Sequence, residues 1–352
     1  MTESRYAWRF VAVGEPLEKV EAAGREPQDH EVVVQVAGCG ICHTDLGFLD
    51  GSVSTKAGLP LVLGHEIAGT VVEAGAGAEE WPGRDVLVPA VIPCGDCDLC
   101  NKGKGNACTR QLMPGNDLDG GWATHVTIPT RGLSVIEDLP ERYELADLSV
   151  IADAVTTPLQ AVRRAGVTDG DLAVVIGVGG VGSYAVQIAA ASGAKVVAID
   201  IDDDRLAVLE DHGAAATVNS RGMDPREVRD AVRFHAKQLG APSIGWKIFE
   251  CSGTAPGQET AYGLLGPQAT LAVVGFTMDK ISVRLSNLMA FDATAFGTWG
   301  CPPERYPEAV ELVISGKVDL APFIRKVPMA EIARAIDDAH NHVDPRRTIL
   351  IP

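Results

Sequence analysis

The sequence lacks any apolar run of the roughly 18–20 residues needed to span a bilayer, which excludes a helical membrane-spanning segment within it. The stretch from Met1 to Arg9 carries Glu3, Arg5 and Trp8 where a secretory signal would have an apolar core. A cytoplasmic location is the expectation. Positive charge is scarce: 30 Lys and Arg face 47 Asp and Glu, a formal net charge of −17. Such a surface repels nucleic acid and anionic membranes, so neither is an expected partner. Internal repeats and low-complexity segments are also missing. What remains, 46 % hydrophobic and 22 % charged residues, is ordinary for a globular protein. At 352 residues, two domains are the natural expectation.

The hydrophobic pattern changes near residue 150. Before it, residues 30–37, 67–73 and 85–89 read as short strands, separated by turn signals at Gly75–Gly77 and Pro82-Gly83. That suggests a compact, mostly β domain. After it, apolar runs at 172–176, 195–199, 246–249 and 270–274 alternate with helical patterns at 181–192 and 205–213. Strands alternating with helices argue for a parallel sheet covered on both faces, an α/β arrangement. Two more helices are expected at 310–315 and 331–340.

Gly177-Val178-Gly179-Gly180-Val181-Gly182 follows one expected strand and opens a helix. A glycine pattern alone is weak, but this context makes it specific. The first glycine allows the tight turn, the second lets backbone approach a pyrophosphate, and the third lets helix pack on strand. The helix N-terminus then offers free N–H groups to phosphates. Asp200 ends the next strand, 23 residues after Gly177, where an acid can accept ribose hydroxyls. Its charge would repel a 2′-phosphate, which favours NAD. Arg205, one turn on, can bond or stack on the same ribose. The bland alternative is a glycine-rich helix start and an acidic cap with no ligand.

Eight cysteines are present, at 39, 42, 94, 97, 100, 108, 251 and 301. In a long chain with four of them clustered, metal binding is a better reading than disulfides. Cys94-x2-Cys97-x2-Cys100-x7-Cys108 fits tetrahedral zinc with every position filled, a structural site. A nucleic-acid-binding zinc ribbon is disfavoured by the −17 charge. Cys42 and His65 offer a second thiolate and imidazole, although each alone reads equally well as a buried core residue.

Gly64-His65-Glu66-x2-Gly69-x5-Gly75, Cys42-His43-Thr44-Asp45, the four-cysteine lobe and the nucleotide fingerprint together resemble the zinc-containing medium-chain alcohol dehydrogenases over most of the chain. The resemblance implies a GroES-like, mostly β catalytic domain at 1–153, a Rossmann NAD-binding domain at 154–295, and a return to the catalytic domain at 296–352. It implies two zinc ions. Carried over, the catalytic zinc ligands are Cys42, His65 and Asp153. The family more often has Cys at the third position. A carboxylate keeps the charge but is a harder donor, leaving a stronger Lewis acid; the alternative for Asp153 is a helix N-cap. Asp45 and Glu66 would orient the ligands or swap onto the metal. Thr44 would be the first hydroxyl of the proton relay. Related enzymes often continue to a His three positions on, but here that residue is Gly47. His43, a ribose hydroxyl or water could take the proton, or His43 could face the pyrophosphate. Gly275 and Phe276 are further implied cofactor contacts, and a homodimer or homotetramer is expected, with the region around 270–283 at a subunit contact.

A narrower resemblance covers both halves. Residues 37–47, Met113-Pro-Gly-Asn-Asp117, Asp153-Ala-Val-Thr-Thr-Pro158, Gly275-Phe-Thr-Met-Asp-Lys280 and residues 285–292 are similar to 6-hydroxycyclohex-1-ene-1-carbonyl-CoA dehydrogenases of anaerobic benzoyl-CoA degradation. This implies oxidation of a secondary ring alcohol on a CoA thioester. Lys102/Lys104, Arg163/Arg164 and Arg346/Arg347 are the basic pairs open to a CoA, none assigned. The competing readings are a zinc dehydrogenase of another secondary alcohol or polyol, and a zinc- and NAD-binding protein without turnover.

Overall fold

A computed structural model describes residues 5–21 and 25–352. The chain forms two compact units, Met1–Thr156 with Gly300–Ile314 and Phe323–Pro352, and Thr157–Trp299 with Ser315–Pro322. No helix among the described residues is long and apolar enough to cross a membrane.

The first unit is built on a seven-stranded sheet. Its strands run in the order Ile324–Pro328, Arg347–Ile351, Glu31–Gly40, Glu66–Ala74, Asp85–Val88 and Ser134–Val135, with His125–Pro129 also paired to Glu31–Gly40. All pairs are antiparallel except Ile324–Pro328 with Arg347–Ile351. Glu31–Gly40 is the centre: its first half pairs with His125–Pro129 and its last residues with the C-terminal strand. Alternate residues Val32, Val34 and Val36 bury on one face with Ile67, Val71 and Trp122. Register shifts near Val33 and Val36 bend the strand on its way to Cys42. The expected strands are all present. Short helices, including His43–Leu49, lie between these strands.

In the second unit six parallel strands run in the order Ala214–Asn219, Lys195–Asp200, Leu172–Ile176, Lys247–Glu250, Thr270–Val273 and Thr294–Gly297. Leu172–Ile176 is buried at every position, as a strand covered on both faces must be. Helix Gly182–Ala191 follows it directly. The apolar run at 270–274 forms the strand Thr270–Val273. The α/β class, a mostly β domain with a doubly wound parallel-sheet domain, is as expected.

Candidate metal and dinucleotide sites

In the first unit Cys42, His65, Glu66 and Asp153 bring one donor atom each within 4.8 Å of one another. Cys42 Sγ lies 3.8 Å from Asp153 Oδ2, and His65 Nε2 lies 3.7 Å from the same oxygen. Donors at about 2.0–2.3 Å from a tetrahedral zinc are separated by about 3.3–3.8 Å, so this spacing fits. Thr44 Oγ1 is 3.7 Å from the Cys42 sulfur.

Local sequence explains how these groups meet. Cys42 caps helix His43–Leu49, and Asp45, its third residue, reaches back so that the Cys42 N–H donates to Oδ2 at 2.9 Å. The other Asp45 oxygen accepts Gly64 N–H at 3.2 Å and lies 3.3 Å from His65 Nδ1. One fully buried carboxylate thereby ties together the backbones carrying two of the donors and lies on the Nδ1 side of the His65 ring, whose Nε2 faces Asp153. Asp153 follows the 3-10 helix Leu145–Ala152 and is not the cap of the next helix, which starts at Thr156.

Glu66 is also fully buried. Arg347 Nε donates to its Oε2 at 2.9 Å, Arg347 Nη2 donates to Oε1, and Ala154 N–H donates to Oε1 at 3.1 Å. Gly40 makes room for this pair, since a Cβ there would lie 2.0 Å from Glu66 Oε2. Burial pushes the Glu66 carboxyl pKa up, and Arg347 only partly offsets it. For His65 burial favours the neutral ring, but the Asp45 carboxylate and the Cys42 sulfur outweigh it and hold the pKa well above the usual range. The pocket therefore stabilises positive charge, and its chemistry, a thiol, an imidazole and carboxylates, fits a divalent zinc. The His43 ring is exposed and stacks on that of His342, centroids 5.6 Å apart.

The cysteine lobe gathers as the spacing predicts. Sulfur separations are 3.9 Å (Cys94–Cys100), 3.4 Å (Cys97–Cys100) and 3.7 Å (Cys97–Cys108). A tetrahedral ZnS4 core has edges of about 3.8 Å. Cys108 Sγ accepts backbone N–H from Cys94 and Arg110, as a thiolate ligand would. Donation from the Cys100 backbone draws the Cys97 pKa down to about 6.

In the second unit Gly177 has φ +79°, and a Cβ there would lie 2.4 Å from Ser252 Cα. A Cβ on Gly182 would lie 1.8 Å from Gly177 O, so helix and strand touch at this point. Gly179 instead faces open space bounded by Arg205 Nη1, while Gly180 and Val181 form the turn into the helix. Asp200 Oδ2 accepts Val178 N–H at 2.7 Å, and Oδ1 accepts those of Ile201 and Asp202. Arg205 Nε is buried without a hydrogen-bond partner. An open glycine turn, a carboxylate at its edge and an orphaned guanidinium N–H fit a bound dinucleotide. Gly275 packs on Gly253 at the ends of the neighbouring strands, and Phe276 beside it is 68 % exposed.

Among the basic pairs, Arg347 is not open to a CoA, whereas Arg346 is exposed. Arg347 is consumed by Glu66, and Arg346 binds Asp344 at 2.7 Å. Arg163 donates to Ser192 Oγ and Arg164 to Gly297 O. Lys102 and Lys104 remain exposed on the cysteine lobe. Arg347 is the residue that sequence reading missed at the metal cluster; its only signal was a charge opening the apolar strand Arg347–Ile351.

Comparison with known proteins agrees with this geometry. Residues 28–138 match the alcohol dehydrogenase GroES-like domain and residues 180–315 the zinc-binding dehydrogenase family. An alcohol dehydrogenase of Geobacillus stearothermophilus is 30 % identical over 90 % of both chains. Galactitol 1-phosphate 5-dehydrogenase of Escherichia coli (strain K12) is 29 % identical over 92 % of both. The crystal structure of the alcohol dehydrogenase from Aeropyrum pernix superposes with a TM-score of 0.88 at 25 % identity, covering 99 % of this chain and 100 % of that one.

Proposed function

The chain belongs to the zinc-binding alcohol dehydrogenase family, and from that premise we propose that it oxidises a secondary alcohol to a ketone with NAD, using Cys42, His65 and Asp153 as the catalytic zinc ligands. The convergence of Cys42 Sγ, His65 Nε2 and Asp153 Oδ2 beside the Thr44 hydroxyl carries this reading. When bound, zinc supplies the positive charge that lowers an alcohol's pKa, and the nicotinamide supplies the hydride acceptor.

The chain's own groups supply the rest. Thr44 Oγ1, beside Cys42, takes the alcohol proton and passes it outward. Asp45 fixes the His65 ring with Nε2 facing the cluster. Glu66, held by Arg347, supports Ala154 and so the turn that carries Asp153. Gly177, Gly179, Gly180, Val181 and Gly182 would cradle the pyrophosphate, with Gly275 and Phe276 flanking it. Asp200 and Arg205 would hold the adenosine ribose, and the Asp200 charge favours NAD over NADP. Cys94, Cys97, Cys100 and Cys108 would hold the structural zinc. A protein that only bound zinc and NAD would have no use for a hydroxyl at Thr44.

For the substrate, the sequence resemblance spread over both halves, Asp153 included, supports a ring alcohol on a CoA thioester, oxidised from the 6-hydroxy to the 6-oxo form. The second reading is a polyol, favoured by the likeness to an enzyme named for galactitol 1-phosphate. We include a homodimer or homotetramer: Thr294–Gly297 is an edge strand, and Leu285 and Met289, just before it, are 69 % and 77 % exposed.

NADH formation with a panel of secondary alcohols, polyols and hydroxyacyl-CoA esters, with and without chelator, tests the function. Chelator-sensitive turnover preferring the CoA ester is expected. Efficient turnover of simple alcohols or polyols with no preference for the ester would remove the substrate reading. Thr44→Ala should cut kcat by about 10²-fold or more with zinc retained; full hydride transfer in that variant would remove the relay.

A further inference from the structure

The groups that hold the peptide around Asp153 come from three separate stretches of chain. Ala152 O accepts hydrogen bonds from the Tyr306 hydroxyl and from Thr156 Oγ1, the latter at 3.0 Å. On the other side of Asp153, Ala154 N–H donates to Glu66. Tyr306 is 1 % exposed, and its oxygen also accepts Ala90 N–H at 3.0 Å. Its hydroxyl is thus used both as donor and as acceptor, bridging a loop beyond strand Asp85–Val88 to the end of the 3-10 helix before Asp153. Burial pushes the phenol pKa up, so the donor stays protonated. Asp153 itself has φ −137° and ψ −54°, outside the helices on either side, so neither helix dictates its conformation.

From this geometry we infer that Tyr306 is a positioning residue for Asp153, fixing the peptide from which the third metal ligand projects. The inference rests on the reading of Asp153 as that ligand. A cysteine sulfur is placed by one side-chain torsion, whereas an aspartate oxygen needs two. A carboxylate ligand therefore depends more on a fixed backbone, because its extra torsion leaves more ways to miss the metal. Tyr306 and Thr156 hold the carbonyl on one side of Asp153, and Glu66 holds the N–H on the other. A phenylalanine at 306 would keep the ring packing and remove only the bridge.

The test uses the zinc-loaded protein and its cobalt-substituted form. Tyr306→Phe should release the catalytic metal to chelator about tenfold faster, the scale on which outer hydrogen-bond partners act. The cobalt absorption bands should shift, and kcat should fall while KM for NAD holds. Metal in the four-cysteine lobe should leave at the wild-type rate, an internal control. A variant with lowered Tm but wild-type release rate and cobalt spectrum would overturn the inference, since Tyr306 would then only stabilise the fold. If Tyr306→Phe gives no folded protein, Thr156→Val, which removes the other donor to the same carbonyl, is read by the same two outcomes. Asp153→Asn separates the two levels. Wild-type metal retention in Asp153→Asn overturns the ligand reading and this inference together, whereas faster release in Asp153→Asn alone overturns only the role of Tyr306.

Discussion

Replacing Arg347 with Met should destabilise the first unit more than any surface charge change could. The guanidinium is 5 % exposed and the Glu66 carboxylate fully buried, joined by two hydrogen bonds. Methionine keeps much of the apolar stem but leaves Glu66 without a counter-charge, close to Asp153, which lies 4.0 Å from Arg347. Removing one partner of a buried pair costs about 3–5 kcal/mol. For a unit of about 200 residues, each kcal/mol is worth about 2–4 °C, so Tm should fall by about 6–20 °C. Glu66→Gln should cost less, because Gln can still accept Ala154 N–H. The double variant Glu66→Gln/Arg347→Met should lose about 2 kcal/mol less than the sum of the singles. Urea denaturation followed by tryptophan fluorescence reads this, with Trp8, Trp81 and Trp122 in the first unit and Trp246 and Trp299 in the second. Additivity within about 0.5 kcal/mol would refute the pairing as an energetic unit.

Two other outcomes follow from single groups. Glu250 is fully buried: one oxygen accepts Ser252 and Gly253 N–H, and Oε2 has no partner. Burial raises its pKa above 4.5, so the folded protein binds that proton more tightly than the unfolded chain. Its contribution is full below about pH 4.5 and is lost as pH rises through the raised value; Glu250→Gln should flatten that decline in a series of urea midpoints, and parallel pH profiles would refute the argument. Cys97→Ser should leave one zinc per chain in metal analysis while retaining the Cys42 site, because the two donor clusters share no residue; loss of both ions would contradict that separation.

What could be read from sequence follows how local each feature is. The four-cysteine lobe lies within fifteen residues, so spacing alone specifies the donors. The glycine turn at 177–182 is equally local as a pattern, with Gly177 and Gly182 answering close backbone contacts and Gly179 facing open space. The fully apolar run at 172–176 announces a buried parallel strand. Asp153 was reachable only through resemblance, since nothing in Ile151-Ala152-Asp153-Ala154 separates a ligand from a cap. Arg347 was misread for a physical reason. Beside Arg346 it looks like half of a surface basic pair, yet its strand pairs it into the sheet while its neighbour turns to Asp344. Tyr306 gave no signal, because its two partners, Ala90 and Ala152, lie 216 and 154 residues away.

The charges around Asp153 explain why a metal belongs there. Asp45, Glu66 and Asp153 contribute three carboxylates, and Cys42 would add a thiolate, with Arg347 and the His65 ring set against them. Glu66 and Asp45 are fully buried, where uncompensated charge is costly. His65 protonation can relieve part of that excess, but it would remove the lone pair at Nε2 from the cluster. A divalent cation would relieve more of it and, on the proposed reading, would take the lone pair of a neutral His65. Aspartate at 153 preserves this balance exchanging sulfur for oxygen, since both donors carry a single negative charge. What it changes is donor strength and side-chain freedom. On the proposed reading of Asp153 as a ligand, metal retention would depend on how firmly the Ala152–Ala154 backbone is held by Tyr306, Thr156 and Glu66.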